Sequence, residues 1–317
     1  MKKILITRRL IKSSEEYAAK IFEISINGED KLLTKDELIK KSANCDGILS
    51  SLTEKIDADV ISKLSSRVKI ISNFAVGFGN IDLVAAKKRN ILVTNTPDVL
   101  TDATAEIAML ILLGAARRAK EGMQEVQTKN WKWTADFLMG KQLTGSRLGI
   151  LGMGRIGRAI ADRARSFGMV IHYFNRSRLS EDLEKNAVYH KSLESLLSVS
   201  DFFSINCPAT KETKHILNNE SIKNFPDGAI VSNSARGDMI DDEAMVQALK
   251  SGKIYSLGID VYNGEPNIHP EYLTLPNVFV LPHLGSATKK TRTAMADLAV
   301  NNLKDYFQTG KCKNQVN

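Results

Sequence analysis

The sequence predicts an α/β chain built on two parallel sheets, and three observations carry that expectation. Short apolar runs rich in β-branched residues alternate with longer segments of helical period, the pattern of successive βαβ units. These runs fall into two series along 317 residues, a length that itself suggests two domains of about 100–200 residues each. A glycine-rich turn, Gly152-Met-Gly154-Arg-Ile-Gly157, stands between the first strand pattern of the second series and the helix pattern after it.

In the first series the strand patterns are 4–7, 47–50, 68–74 and 91–95, with helical spacing at 57–65 and 83–88. The second series reads as strands at 147–152, 170–175, 201–206, 229–233, 254–260 and 278–281, with helices near 156–167, 193–198 and 241–251. Six strands match the count of a complete dinucleotide-binding fold. Between the series, 103–120 reads as one apolar helix. Its face of Ile107, Leu110, Ile111 and Ala115 suits core, domain junction or subunit contact equally well. A last helix is expected over 289–307, where Met295, Leu298, Ala299, Asn302 and Leu303 recur at helical spacing.

Composition narrows the function classes. With 43% hydrophobic and 25% charged residues the chain can build ordinary cores and is not a disordered one. The net charge of +8 comes from scattered lysines and two short basic pieces, Lys87-Lys88-Arg89 and Arg117-Arg118. These are too short for a basic arm, so small anions are expected as partners rather than nucleic acid. No apolar run reaches the roughly 18 residues of a membrane span, and Ile4-Leu5-Ile6 is too brief for a secretory leader. Cys45, Cys207 and Cys312 are odd in number and far apart, which predicts neither disulfides nor a metal site and fits a cytoplasmic protein.

The glycine turn lies in the one context that makes it specific, after a strand and before a helix. Gly152 would permit the turn, Gly154 would let a pyrophosphate approach the backbone, and Gly157 would let the helix pack on the strand. The phosphates would then meet free amides near Arg155 and Ile156 at the positive helix end. At the end of the next strand, Tyr173-Phe-Asn175-Arg176-Ser177-Arg178 has no carboxylate to hold a ribose 2′-hydroxyl. Asn175 and Ser177 offer neutral donors, and Arg176 and Arg178 offer charge and a bidentate fork, so a 2′-phosphate is favoured. The expectation is NADPH in preference, with NADH possible.

Three later segments place polar residues just past strands, at the edge where α/β sheets bind ligands. They are Ser232-Asn-Ser-Ala-Arg236-Gly-Asp, Asp260-Val-Tyr-Asn-Gly-Glu265-Pro and Leu281-Pro-His283-Leu-Gly-Ser. A guanidinium, a carboxylate and an imidazole suit reduction of a 2-keto acid: Arg236 would hold the substrate carboxylate, His283 would protonate the carbonyl oxygen, and Glu265 would orient the imidazole. His172, His190, His215 and His269 lack such settings and read as surface or structural.

At these residues the sequence resembles the D-isomer-specific 2-hydroxyacid dehydrogenase family. The matching pieces are Asn73-Phe-Ala-Val76-Gly77-Phe-Gly-Asn80-Ile-Asp82, Thr101-Asp-Ala-Thr104-Ala-Glu106, the glycine turn, Ser234-Ala-Arg236-Gly-Asp238, Asp260-Val-Tyr-Asn-Gly-Glu265-Pro266 and Pro282-His283-Leu-Gly285. The resemblance implies two Rossmann-like domains with a cleft between them. A flavodoxin-like substrate domain would span 1–99 and 286–317, and an NAD(P)-binding Rossmann domain 100–285. It implies catalytic roles for Arg236, Glu265 and His283, and a contact from Asp260 to the nicotinamide carboxamide. It also implies a cofactor lining of Thr104, Cys207, Pro208, Ser234, Ala235, His283 and Gly285, and a substrate carboxylate cradled by the Val76 and Gly77 backbone. The segment 52–57 and the Asn-Arg-Ser-Arg turn look most like the glyoxylate and hydroxypyruvate reductases. There Leu52 would press on a small substrate, and Trp131 or Trp133 would reach the partner's site in a homodimer formed through the 103–120 helix. Two departures from the family pattern are Gly79, where many relatives carry Asp, and Asn206, where His is common. A dehydrogenase for a bulkier 2-hydroxy acid, or a dinucleotide-sensing corepressor-like protein on the same scaffold, are the alternatives.

Overall fold

Alternation along the first strands sorts their side chains onto two faces of one sheet. Leu5, Ile48, Ile71 and Val93 pack on one face, and Ile4, Ile6, Leu49 and Ile70 on the other, as the two-residue period of a strand requires. The computed structural model describes residues 1–129 and 131–317, in two units: Met1–Leu100 with Ser286–Asn317, and Thr101–Gly285.

The first unit holds β1 (Lys3–Ile6), α1 (Lys12–Ile21), β2 (Glu23–Ile26), α2 (Lys35–Ser42), β3 (Gly47–Ser51), α3 (Ala58–Lys63), β4 (Ile70–Phe74), α4 (Leu83–Lys88) and β5 (Leu92–Thr94). Its strands are all parallel, in the order β2-β1-β3-β4-β5. Thr34, Asp57 and Asp82 each accept a backbone hydrogen bond at the start of a helix, which satisfies amides that the first turn leaves open. The C-terminal helix, Lys289–Thr309, belongs to this unit and packs on β4 and α1. Ser72 Oγ donates to its Ala299 carbonyl at 2.9 Å, and its Asn302 side chain donates to the Asn95 carbonyl at 2.9 Å.

The second unit begins with α5 (Thr101–Ala116) and α6 (Ala119–Thr128). It continues through β6 (Arg147–Leu151), α7 (Arg155–Ser166), β7 (Val170–Phe174), α8 (Glu181–Glu184), β8 (Val188–His190), α9 (Leu193–Leu197) and β9 (Phe202–Ile205). Then follow α10 (Asn219–Ile222), β10 (Ala229–Asn233), α11 (Asp242–Ser251), β11 (Ile254–Ile259), α12 (Pro270–Thr274) and β12 (Val278–Val280). The strands are parallel in the order β12-β11-β10-β9-β6-β7-β8. The order reverses between β6 and β9, and ligands of open α/β sheets bind at the carboxyl edge of such a switch point.

Two strands are additional to the sequence expectation, β2 and β8, and both are edge strands. The 103–120 segment is not one helix. Arg118 takes a left-handed backbone, φ 53°, and its guanidinium grips the Glu121 carboxylate, while the Lys141 amide binds the Ala116 carbonyl at 2.8 Å. The chain therefore turns between α5 and α6. The face proposed for α5 also divides, since Ile111 and Ala115 are buried in the unit while Leu110 is exposed. Among the described residues no helix is long and apolar enough to cross a membrane, and no cluster of metal-ligating side chains occurs.

Candidate active site

The nucleotide-binding part starts from the turn after β6. Gly152 has φ +93°, and a Cβ there would lie 2.6 Å from the Cys207 amide nitrogen, so no other residue fits without displacing backbone. A Cβ on Gly157 would sit 2.2 Å from the Gly152 carbonyl oxygen; α7 is thereby held tightly on the turn. Gly154 differs, because a Cβ there would meet nothing within 4 Å. Its lack of a side chain leaves open space beside the start of α7, whose N-terminus has no side-chain cap. The first-turn amides of a helix without a side-chain cap, beside open space at its positive end, fit a pyrophosphate.

Other residues expected on the cofactor side gather on the carboxyl edge of the same sheet. Ser234 Oγ and Asn206 Oδ1 are buried with no hydrogen-bond partner among the described residues, whereas Asn206 Nδ2 is spent on Ser204. Buried polar atoms left open in this way are what a bound group satisfies. The Ala235 amide bonds Asn233 Oδ1 at 2.9 Å, the Pro208 carbonyl accepts from Thr213, and Thr104 Oγ1 donates to the Gly285 carbonyl at 3.2 Å. Burial pushes the Cys207 thiol up to about 11, so it lines this edge as an inert neutral group.

At the end of β7 the structure departs from the sequence expectation. Asn175 Oδ1 accepts from the Met153 amide at 2.7 Å and ties this strand end to the glycine turn. Arg178 does not hold its fork open: Nε and Nη2 bond the two oxygens of Glu184 at 2.8 and 2.9 Å. The six residues 173–178 contain no carboxylate, yet α8 brings one, Glu184, back to the same place. Arg176 and Ser177 are exposed; neither makes a hydrogen bond or salt bridge among the described residues, and the Arg176 charge acts on the Glu212 carboxylate.

The residues expected to carry the reaction, Arg236, Glu265 and His283, stand on the loops after β10, β11 and β12. Arg236 is half-buried with no carboxylate paired to it among the described residues, and its Nη1 donates to the Ala235 carbonyl at 2.6 Å. Burial lowers its proton affinity while Glu265 and Asp238 support its charge; an arginine remains charged under such opposition. Gly237 follows because a Cβ there would lie 1.9 Å from the Tyr262 carbonyl carbon, so the Arg236 loop lies directly on the Glu265 loop. Glu265 Oε1 accepts the Tyr262 amide at 2.9 Å and Oε2 lies 2.7 Å from His283 Nδ1. Burial alone would raise the Glu265 carboxyl, but His283, the Tyr262 amide and Arg236 outweigh it and hold it below the usual carboxylate range.

His283 has a left-handed backbone, φ 56°, a conformation that non-glycine residues keep only under constraint. Asp260 supplies the constraint, since its two oxygens accept the Leu284 and Gly285 amides at 2.7 and 2.9 Å. Tyr262 adds another, donating its hydroxyl to the Leu281 carbonyl at 2.6 Å. Sequence reasoning did not single out Tyr262, Gly237 or Asn233. Gly237, next to the chosen arginine, was the available signal; the bonds of Tyr262 depend on a loop path that spacing does not give.

In the first unit, the loop carrying Val76 and Gly77 is fixed by three asparagines. Asn73 Nδ2 donates to the Gly77 carbonyl at 3.0 Å, Asn95 Nδ2 to the Val76 carbonyl at 2.8 Å, and Asn80 Nδ2 to the Ser51 and Glu54 carbonyls. Gly79 stands in open space with no left-handed requirement. Leu52 follows β3 with its side chain partly exposed.

Residues 109–285 match the sequence model described as D-isomer specific 2-hydroxyacid dehydrogenase, NAD binding domain. The chain belongs to the D-isomer specific 2-hydroxyacid dehydrogenase family. This dehydrogenase is 46% identical to a glycerate dehydrogenase of Hyphomicrobium methylovorum over 98% of its own length and 97% of the relative's. It is 41% identical to a glyoxylate reductase of Thermococcus kodakarensis, covering 95% and 92% of the two chains. Among solved structures, an NADPH-dependent glyoxylate/hydroxypyruvate reductase from Sinorhizobium meliloti, in complex with NADP and malonate, superposes with a TM-score of 0.89. That match has 31% identity over 99% of this dehydrogenase and 96% of the other chain. As a member of the family the dehydrogenase is an enzyme that uses a nicotinamide dinucleotide, and the glycine turn and open buried polar atoms fit one.

Proposed function

We propose that this dehydrogenase reduces a small 2-keto acid, glyoxylate or hydroxypyruvate, to the D-2-hydroxy acid, with NADPH preferred over NADH. The observation that carries the reading is the His283–Glu265 pair at 2.7 Å near the Arg236 guanidinium, which forms no salt bridge among the described residues though Glu265 and Asp238 support its charge. The nicotinamide, when bound, supplies the hydride for the keto carbon. Arg236 would bind the substrate carboxylate through its planar fork and polarise the carbonyl. Glu265 holds the proton on Nδ1, leaving Nε2 of His283 to give a proton to the carbonyl oxygen. Val76 and Gly77 would offer backbone amides to the carboxylate, and Leu52 an apolar limit on substrate size. Asp260, Thr104, Cys207, Pro208, Ser234, Ala235 and Gly285 would line the nicotinamide side, and Arg155 and Ile156 the pyrophosphate.

The relatives' names support the substrate class. The preference for NADPH is supported by Arg176 and Ser177, which are exposed at the end of β7 and make no hydrogen bond or salt bridge among the described residues, the Arg176 charge acting only at longer range on Glu212. A homodimer is proposed in which the 103–120 segment takes part, with exposed Leu110 on α5 and exposed Trp131 and Trp133 beyond it as apolar surface that a partner copy would cover. Steady-state assays following NADPH and NADH consumption with glyoxylate, hydroxypyruvate, pyruvate and 3-phosphohydroxypyruvate test the reading. It fails if none is reduced, and the corepressor-like alternative then gains; a higher kcat/KM for pyruvate or the phosphorylated acid would move the substrate class.

A further inference from the structure

Three successive carbonyls in the loop after β4 are held from behind. The Ala75 carbonyl accepts the Thr96 amide at 2.9 Å, the Val76 carbonyl accepts Asn95 Nδ2 at 2.8 Å, and the Gly77 carbonyl accepts Asn73 Nδ2 at 3.0 Å. A trans peptide is planar, with its C=O and N–H pointing in opposite directions. Pinning the Ala75 carbonyl therefore aims the Val76 N–H away from residue 96, and pinning the Val76 carbonyl aims the Gly77 N–H away from Asn95. Neither of these amides donates a hydrogen bond among the described residues. The loop thus presents two adjacent unspent donors whose direction is set by β5 and the residues just past it.

Asn95 can act in this way because its own backbone is gripped on both sides. Its amide donates to the Asn314 carbonyl at 3.2 Å, and its carbonyl accepts Nδ2 of Asn302 at 2.9 Å. Asn302 is 1% exposed on the C-terminal helix. Its Oδ1 accepts Nδ2 of Asn314 at 2.8 Å and the Cys312 thiol at 3.3 Å, which turns its Nδ2 toward Asn95. The segment past the helix also covers the open edge of β5: Gln315 bridges Thr94 in antiparallel sense, the Val316 amide donates to the Val93 carbonyl at 2.9 Å, and the Asn317 side chain bonds the Val93 amide and the Ile91 carbonyl.

We propose that Asn95 is a positioning residue for substrate binding: through the Val76 carbonyl it aims the Gly77 N–H at the substrate carboxylate, and Asn302 with residues 312–317 holds it in place. This role rests on the reading that puts the carboxylate on the Val76 and Gly77 amides. It gives the segment past the C-terminal helix a share in substrate affinity. A hydrogen bond to a charged group is worth about ten-fold or more, so misaiming one of two donors is enough to measure.

Steady-state kinetics of the intact enzyme with glyoxylate and NADPH, with oxamate as a competitive probe, test the role. Asn95→Ala should raise KM for glyoxylate and Ki for oxamate together by about ten-fold, change kcat less than KM, and leave KM for NADPH at the parental value. Asn314→Ala, which only loosens Asn302, should move the same two constants in the same direction by about two- to three-fold. Ser72→Ala supplies the comparison for a structural loss in the same unit: it removes the bond to the Ala299 carbonyl and should lower Tm with both constants parental. Parental KM and Ki in Asn95→Ala, with Tm lowered as in Ser72→Ala, would overturn the role of Asn95 and leave keto-acid reduction intact. If Asn95→Ala does not fold, parental constants in Asn314→Ala overturn it instead. A parent enzyme that neither reduces glyoxylate nor binds oxamate removes the carboxylate reading, and the role of Asn95 with it.

Discussion

Nδ1 of His283 lies 2.7 Å from Oε2 of Glu265, and this one contact decides which ring nitrogen can work. With Nδ1 donating to the carboxylate, only Nε2 is available to a substrate oxygen. Positioned general acids contribute about 10²–10⁴-fold, so His283→Ala should lower kcat for keto-acid reduction by that order with little change in cofactor affinity. Glu265→Gln should cost less than His283→Ala, because the amide oxygen can still accept from Nδ1 and keep the ring in place. Glu265→Ala, which leaves Nδ1 without that acceptor, should cost more than Glu265→Gln. Parental kcat in Glu265→Ala would refute the role given to Glu265.

Among the described residues the Arg236 side chain bonds only the neighbouring Ala235 carbonyl, which leaves the rest of the fork for a ligand. Lysine would preserve the charge and lose the planar pair of donors. Arg236→Lys should reduce kcat/KM for glyoxylate by about 10²-fold or more and leave Tm within a degree or so of the parent. Near-parental kcat/KM would show that charge alone suffices and that the fork is not used.

The sheets and the site were legible in the sequence to different depths, for identifiable reasons. Interior strands such as β3, β4, β9 and β10 carry continuous apolar runs because both faces are covered, and these are the strands the pattern announces. β2, with no fully buried residue, and β8, three residues long, sit at sheet edges and hold too few apolar positions to register. Arg236, Glu265 and His283 could be chosen because each follows a readable strand. The Glu184–Arg178 pair could not, since it requires knowing that α8 folds back onto β7. The same holds for Asp260, whose hold on the His283 loop comes from backbone amides that no side-chain pattern reveals.

The glycine turn separates folding from binding within three residues. Gly157→Ala would place a methyl 2.2 Å from the Gly152 carbonyl oxygen, and overpacking of this kind costs about 1–3 kcal/mol, so Tm should fall by several degrees. Gly154→Ala meets nothing in the protein; its methyl should enter only the space kept for the pyrophosphate. Gly154→Ala should thus retain the parental Tm without cofactor and lose most of the Tm rise that saturating NADPH produces. Equal stabilisation by NADPH in the parent and in Gly154→Ala would place the phosphates elsewhere.

Glu184 makes a prediction about acid stability that does not involve catalysis. Hydrogen bonds from Arg178 and Tyr173, with the Arg178 charge, hold its carboxyl down to about 2 in the folded chain, against an ordinary value of 4.5. A depressed folded value means that the unfolded chain takes up the proton first as pH falls. The stabilisation is therefore complete above about pH 4.5, declines below it, and is gone once pH reaches about 2. Glu184→Gln has no proton to take up at this position. The Tm gap between the parent and Glu184→Gln should accordingly be constant from neutrality to about pH 5 and narrow steadily as the solution is acidified further. Many other carboxylates protonate over the same range, but they do so in both proteins, so the difference between the two curves isolates this one. A gap that stays constant down to the acid end would mean that the Arg178 fork contributes nothing through the charge of Glu184.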